Sequence, residues 1–200
     1  MTRLALNKST LNKEGRKVKA YQKFVPALDL KRKQLLAARV STEKEKHAQE
    51  AGLQALQALV KAQLPMLPQF QGRVTDLVRI KSLQLSETNL VGIRLPLLQS
   101  LEIEIPPYSC LASAHWLDRL SEQLCEMVRL KTQLQITEQR LRLLNRGLQK
   151  TTQRLNLFDK VLIPQSQKNI RKIHIALADA ERAGVVRAKI AKNKRLKASA

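Results

Sequence analysis

The sequence predicts a mainly α protein: a long antiparallel two-helix coiled coil built from the N- and C-terminal parts of the chain, with a small central β-hairpin or short-strand insert. Three observations predict it. Leu120, Met127, Leu134, Leu141, Leu148, Leu155 and Leu162 stand at seven consecutive heptad positions without a break, and a strict period of seven imposes a left-handed supercoil on a helix with a partner. A shorter heptad pattern lies near the N-terminus. Between the two, turn-forming residues gather in one stretch. The composition agrees: 44% of the 200 residues are hydrophobic but only 3% are aromatic, so the apolar content is Leu, Ile, Val and Ala, which suits interlocking helices.

The first segment, residues 1–64, is read as a shaft helix. Leu11, Val18 and Val25 recur every seven residues, and Tyr21, Leu28 and Leu35 run beside them three residues out of step. This is an a/d seam of about three heptads. Pro26 removes a backbone donor within it and predicts a kink. Ser41–Glu50 is polar all round; Leu53, Leu56, Val60 and Leu64 then restore a stripe, and Pro65 and Pro68 punctuate its end. One long, imperfect helix over about residues 10–62 follows.

Residues 65–115 read as the insert. Leu77–Leu85 is a mixed, near-alternating run, and Ile103 and Ile105 alternate with Glu102 and Glu104. Gly72, Asn89, Gly92, Pro96, Pro106 and Pro107 supply turn chemistry largely missing from the flanks.

Residues 116–200 form the second shaft helix. Leu117, Leu124, Leu130, Leu144 and Phe158 widen the heptad stripe. Pro164 interrupts it, and Ile170, Ile173 and Leu177 resume helical spacing, so a bent helix is expected to about residue 195. At 1.5 Å per residue the two helices would span roughly 80 and 115 Å. Folding back on each other would bury their seams and bring both chain ends to one end of a hairpin.

Charge singles out those ends. With 37 Lys+Arg against 16 Asp+Glu, the formal net charge is +21. Residues 1–33 carry ten basic side chains against Glu14 and Asp29, and residues 182–197 carry seven with no acid, whereas residues 51–110 are nearly balanced. Polar residues interrupt every apolar run well before the ~18 residues of a membrane span, and the N-terminus lacks the apolar core of a secretory signal. Cys110 and Cys125 read as reduced, partly buried thiols of a cytosolic protein.

Catalytic chemistry is not visible. No GxxxxGK[ST] loop occurs among the six glycines. Cys110, His115 and Cys125 lack a zinc-site spacing, and no metal or cofactor is expected. His47 and His174 read as solvated. Glu102 and Glu104 share one strand face but have no cleft-forming domain around them, so they read as surface carboxylates rather than an acid/base pair. Trp116, opening the second helix, is an anchor for the insert or a partner contact. Gly147 is either tolerated within its helix or allows close approach of another backbone.

The run Lys150-Thr-Thr-Gln-Arg-Leu-Asn-Leu-Phe-Asp-Lys-Val-Leu-Ile-Pro164 resembles the C-terminal signature of the D-subunit family of V-type/A-type rotary ATPases, Lys-Thr-Thr-x-Arg-Val-Asn-Ala-Leu-Glu followed by an apolar pair and Ile-Pro. Ile170–Lys192 is similar to the family's closing helix, Thr2-Arg3 with Leu30-Lys31-Arg32-Lys33-Gln34-Leu35-Leu36 to its N-terminal helix, and Val91-Gly92-Ile93-Arg94-Leu95-Pro96 to its central element. Leu157-Phe158-Asp159 and Ala183-Gly184 depart from the family pattern.

The resemblance implies a non-catalytic central-stalk rotor of an ion-translocating ATPase, held at the cytoplasmic face of a membrane that it does not span. It implies a hexamer of catalytic A and non-catalytic B subunits as partners, with the F subunit of the stalk and the subunit capping the membrane ring. Arg3, Lys8, Lys192, Lys194 and Arg195 are then expected in the bearing within the hexamer. The charge alone admits another reading, a basic coiled-coil nucleic-acid-binding or scaffold protein. The scarcity of aromatics for base stacking and the absence of a recognition motif argue against nucleic acid.

Overall fold

The computed structural model describes residues 4–67, 77–107 and 114–198. The described chain is mainly helical, with one two-stranded antiparallel sheet in its middle. Its elements are α1 (Lys8–Gln63), β1 (Arg79–Leu90), β2 (Ile93–Glu104), α2 (Leu117–Asn156), a π-helical segment (Leu157–Leu162) and α3 (Ile163–Ala198). Its contacts divide into two units. The first takes Met1–Arg32 and Lys150–Ala200, the second Lys33–Gln149.

Helix α1 begins where its sequence offers a cap. The Thr10 amide donates to Asn7 Oδ1 at 2.7 Å, which satisfies one of the amides that a helix start leaves without a partner. The helix then runs through Pro26 to Gln63 as one element.

In the second unit α1 and α2 run antiparallel. Gln123 Nε2 donates to Gln63 Oε1 at 2.7 Å, Lys46 pairs with Glu138 at 3.3 Å, and Arg140 pairs with Glu45 at 3.4 Å, so partner numbers rise as α1 numbers fall. Two apolar clusters hold the unit. Val60, Leu64 and Leu120 form one, with Leu67, Leu77, Trp116, Leu124 and Met127 packed against it; Leu35, Leu95 and Leu144 form the other, with Leu90, Ile93 and Leu148. Each fully buried Leu is worth about 1.5–3 kcal/mol. Trp116 and Leu77, the latter just ahead of β1, both pack against the first of these clusters.

Between the clusters the buried side chains are mostly polar, with Ile136 the apolar exception. Thr42, Thr132 and Thr137 are buried, and each hydroxyl donates to the carbonyl four residues earlier in its own helix, at 2.9, 2.8 and 3.0 Å. Bonding to the parent helix removes the penalty of an unpaired buried hydroxyl without a cross-helix partner.

An isolated two-stranded hairpin is marginal in water. This one is held by Leu95, 3% exposed, against Leu35 and Leu144. Its strands are twelve residues each, longer than the short strands the sequence suggested. Register shifts at Ile80/Ser82 and Gln84/Leu85 break the period-two pattern. Pro96 is accommodated because both strands are edges. Val91 and Gly92 close the turn with φ of 51° and 81°, the two positive φ values of a type I′ turn, and the Gly92 amide donates to Asn89 Oδ1 at 2.8 Å.

Candidate partner-binding surfaces

In the first unit the N-terminal part of α1 packs against the end of α2, the π segment and α3, again antiparallel. The Tyr21 and Phe158 ring centroids lie 5.3 Å apart, and those of Phe24 and Phe158 lie 6.4 Å apart. Further along, Glu14 is buried at 6% exposure and hydrogen-bonds Ser166 and Asn169 of α3. Lys17 Nζ meets Glu14 Oε1 at 2.6 Å, and this hydrogen bond is the main reason that the Glu14 carboxyl is held below its usual range. The same pair raises Lys17. A cleft of about 590 Å³ opens beside it, lined by Leu6, Leu162, Gln165 and Lys172 among others.

The seven heptad residues read from the sequence lie on one stripe but are unevenly covered. Leu120 is 1% exposed, while Met127, Leu134, Leu141, Leu148, Leu155 and Leu162 are half-buried. The more deeply buried line lies three residues further on: Gln123, Thr137, Leu144 and Thr151 are buried, and Leu130 and Phe158 half-buried. Hydrophobic counting registered only Leu130, Leu144 and Phe158 of it, because Gln and Thr occupy the other half of its positions. On α1 the corresponding line is Glu14, Tyr21, Leu28, Leu35 and Thr42, of which the sequence pattern identified the apolar middle.

The basic residues are presented outward. Lys8, Lys192, Lys194 and Arg195 are all exposed, and Arg3 lies outside the described residues, as does Cys110. From Asp179 to Arg195 every residue of α3 is exposed, including Val185 at 70%, Val186 at 56% and Ile190 at 50%. A second exposed apolar set, Ile80, Leu83, Leu85 and Leu97, lies on the hairpin. Gly147 makes a close approach possible, though to a side chain: Ile93 Cδ1 fills the space that a Cβ would need.

Among the described residues no group of three His, Cys, Asp or Glu could hold a metal ion. His47, His115 and His174 are exposed, as are Glu102 and Glu104, with Ser82 Oγ donating to Glu102 Oε2 at 3.0 Å. The Cys125 thiol is half-buried and pushed up by desolvation. No described helix is long and apolar enough to cross a membrane. The remaining chemistry is that of surfaces: paired helices, a basic helix end and an apolar hairpin.

A family model described as the D subunit of ATP synthase matches residues 10–193. The chain belongs to the ATP synthase D-subunit family. Similar proteins agree along nearly the full length. The V-type ATP synthase D subunit of Borreliella burgdorferi is 30% identical over 197 residues, covering 98% of this chain and 97% of that protein. The proteins of the same name from Chlamydia pneumoniae and Chlamydia trachomatis serovar L2 are each 31% identical, covering 94% and 96% of this chain and 91% and 96% of their own. The D subunit is a stalk component of the rotary ATP synthase rather than a catalytic one, and it works within a complex of other subunits.

Proposed function

We propose that this chain is the central-stalk rotor of a V/A-type ATPase, mechanically coupling ATP hydrolysis or synthesis in a catalytic hexamer to ion movement through a membrane ring. The reading rests on the family match across residues 10–193. Paired antiparallel helices within each unit support it, because transmitting torque needs stiff, laterally supported elements. The partners are the catalytic A and non-catalytic B subunits, the F subunit of the stalk and the subunit capping the ring, all at the cytoplasmic face of the membrane.

Within this reading Arg3, Lys8, Lys192, Lys194 and Arg195 form a bearing. Cations gathered near the chain ends suit long-range attraction to acidic loops, which steers assembly without locking one geometry. Neutralising the five to Gln in the assembled complex tests the bearing. Assembly and ATP hydrolysis should both fall, with a weaker dependence on salt than in the parent. Unchanged assembly and unchanged hydrolysis would contradict it.

A further inference from the structure

In the first unit, two lines of covered side chains run along the end of α2, the π segment and α3. Thr151, Ser166 and Ile173 are buried and Phe158 half-buried; Leu155, Leu162, Ile170 and Leu177, all half-buried, run beside them. Both lines keep a spacing of seven, except for one step of eight: Phe158 to Ser166, and Leu162 to Ile170. In an uninterrupted α-helix one extra residue turns everything downstream by about 100° away from its face. The π segment Leu157–Leu162 falls at that step, and a π turn takes in one residue more than an α turn.

We propose that this π segment is a register corrector. It absorbs the single extra residue of the sequence, so that Ser166, Ile170, Ile173 and Leu177 stay on the covered face, and the side chains on both sides fix its position. Moved toward α2, ahead of Phe158, the extra residue would put Asp159 where Phe158 meets Tyr21 and Phe24. Moved past Ile173, it would put Gln165 and Lys172 where Ser166 and Ile173 are buried, and Glu14 would lose Ser166. Either shift places a charged side chain in a covered position, which is costly unless it finds a partner.

Pro164 adds a second constraint. In a regular helix its ring would meet the carbonyl of Lys160. Here the Ile163 amide donates five residues back, to the Phe158 carbonyl, and the wider turn accommodates the ring. The corrector operates in the folded chain whether or not it turns inside a complex.

The full-length chain with Cys110→Ser and Cys125→Ser provides the test. Under mild oxidation, Glu14→Cys should form a disulfide with Ser166→Cys at least tenfold faster than with Gln165→Cys; equal or reversed rates overturn the proposal. A second arm compares two single-residue deletions made together with Pro164→Ala. Deleting Lys160 removes the extra residue and should lower the thermal midpoint by less than about 3 °C. Deleting Lys168 instead puts His174 in the place of Ile173 and should lower it by about 10 °C. Equal losses overturn the proposal, and if neither deletion folds, the disulfide rates alone decide it.

Discussion

The Cδ1 methyl of Ile93, at the start of β2, occupies the space that a Cβ on Gly147 of α2 would need, and its Cγ1 would lie 3.2 Å from that Cβ. Glycine in a helix interior costs about 1 kcal/mol against alanine, and here that cost lets the hairpin sit down on the Leu35–Leu144 cluster. In the parent, Gly147→Ala should change stability by less than about 1 kcal/mol, because the helix gain is offset by forcing Ile93 from its rotamer. With Ile93→Val, which removes the obstructing methyl, the same substitution should stabilise by about 1 kcal/mol more than it does in the parent. Urea unfolding of the four proteins measures the coupling, and an equal effect in both backgrounds would contradict it.

Val91 is a β-branched residue at a φ of 51°, a region that costs non-glycine residues about 1–2 kcal/mol. Asn followed by Gly is the favoured type I′ pair. Val91→Asn should therefore slow hydrogen exchange at the amides of β1 and β2 several-fold, corresponding to about 1 kcal/mol. Faster exchange would mean that Val91 makes a contact worth more than its strain.

Glu14 makes stability acid-sensitive. Its folded pKa lies below the ordinary 4.5, chiefly through the Lys17 hydrogen bond, so the stabilisation is fully present above pH 4.5 and is lost as pH falls through the lowered folded value. Glu14→Gln should be less stable than the parent at pH 7, with the difference closing toward pH 3. Denaturant midpoints at pH 7, 5, 4 and 3 measure it. A difference that persists unchanged at pH 3 would assign the effect to packing.

Phe158 is half-buried between Tyr21 and Phe24, and Phe24 is 56% exposed. Phe158→Ala should cost about 2 kcal/mol, below the 3–5 of a fully buried ring, and Phe24→Ala less than about 1 kcal/mol. Thermal unfolding separates them. Equal losses would show that the exposed ring carries as much as the covered one.

Much of the fold was legible in the sequence because apolar periodicity reports helical faces directly: the helix expected over about 10–62 is α1, at Lys8–Gln63. Only the apolar half of the deepest line of α2 was legible, since Gln123, Thr137 and Thr151 count as polar although Thr137 returns its hydroxyl to its own helix. The hairpin strands were blurred for a local reason: a register shift on each side of Leu83 destroys strict alternation. The eight-residue step from Leu162 to Ile170 was present in the sequence, but Pro164 gave it a simpler explanation as a bend. Of the candidate surfaces, the basic ends were visible from charge alone, whereas the exposed apolar side of the hairpin required the register that decides which residues face out.

If one chain of this protein serves as the shaft of a whole catalytic hexamer, the stoichiometry of the assembled complex is fixed. The complex should be purified from its native membrane through a tag on this chain and weighed intact by native mass spectrometry. A single copy of the chain for every three catalytic subunits is expected, because a shaft passes once through a hexamer. Three copies, one on each catalytic subunit, or a preparation holding no ATPase subunits at all, would contradict it.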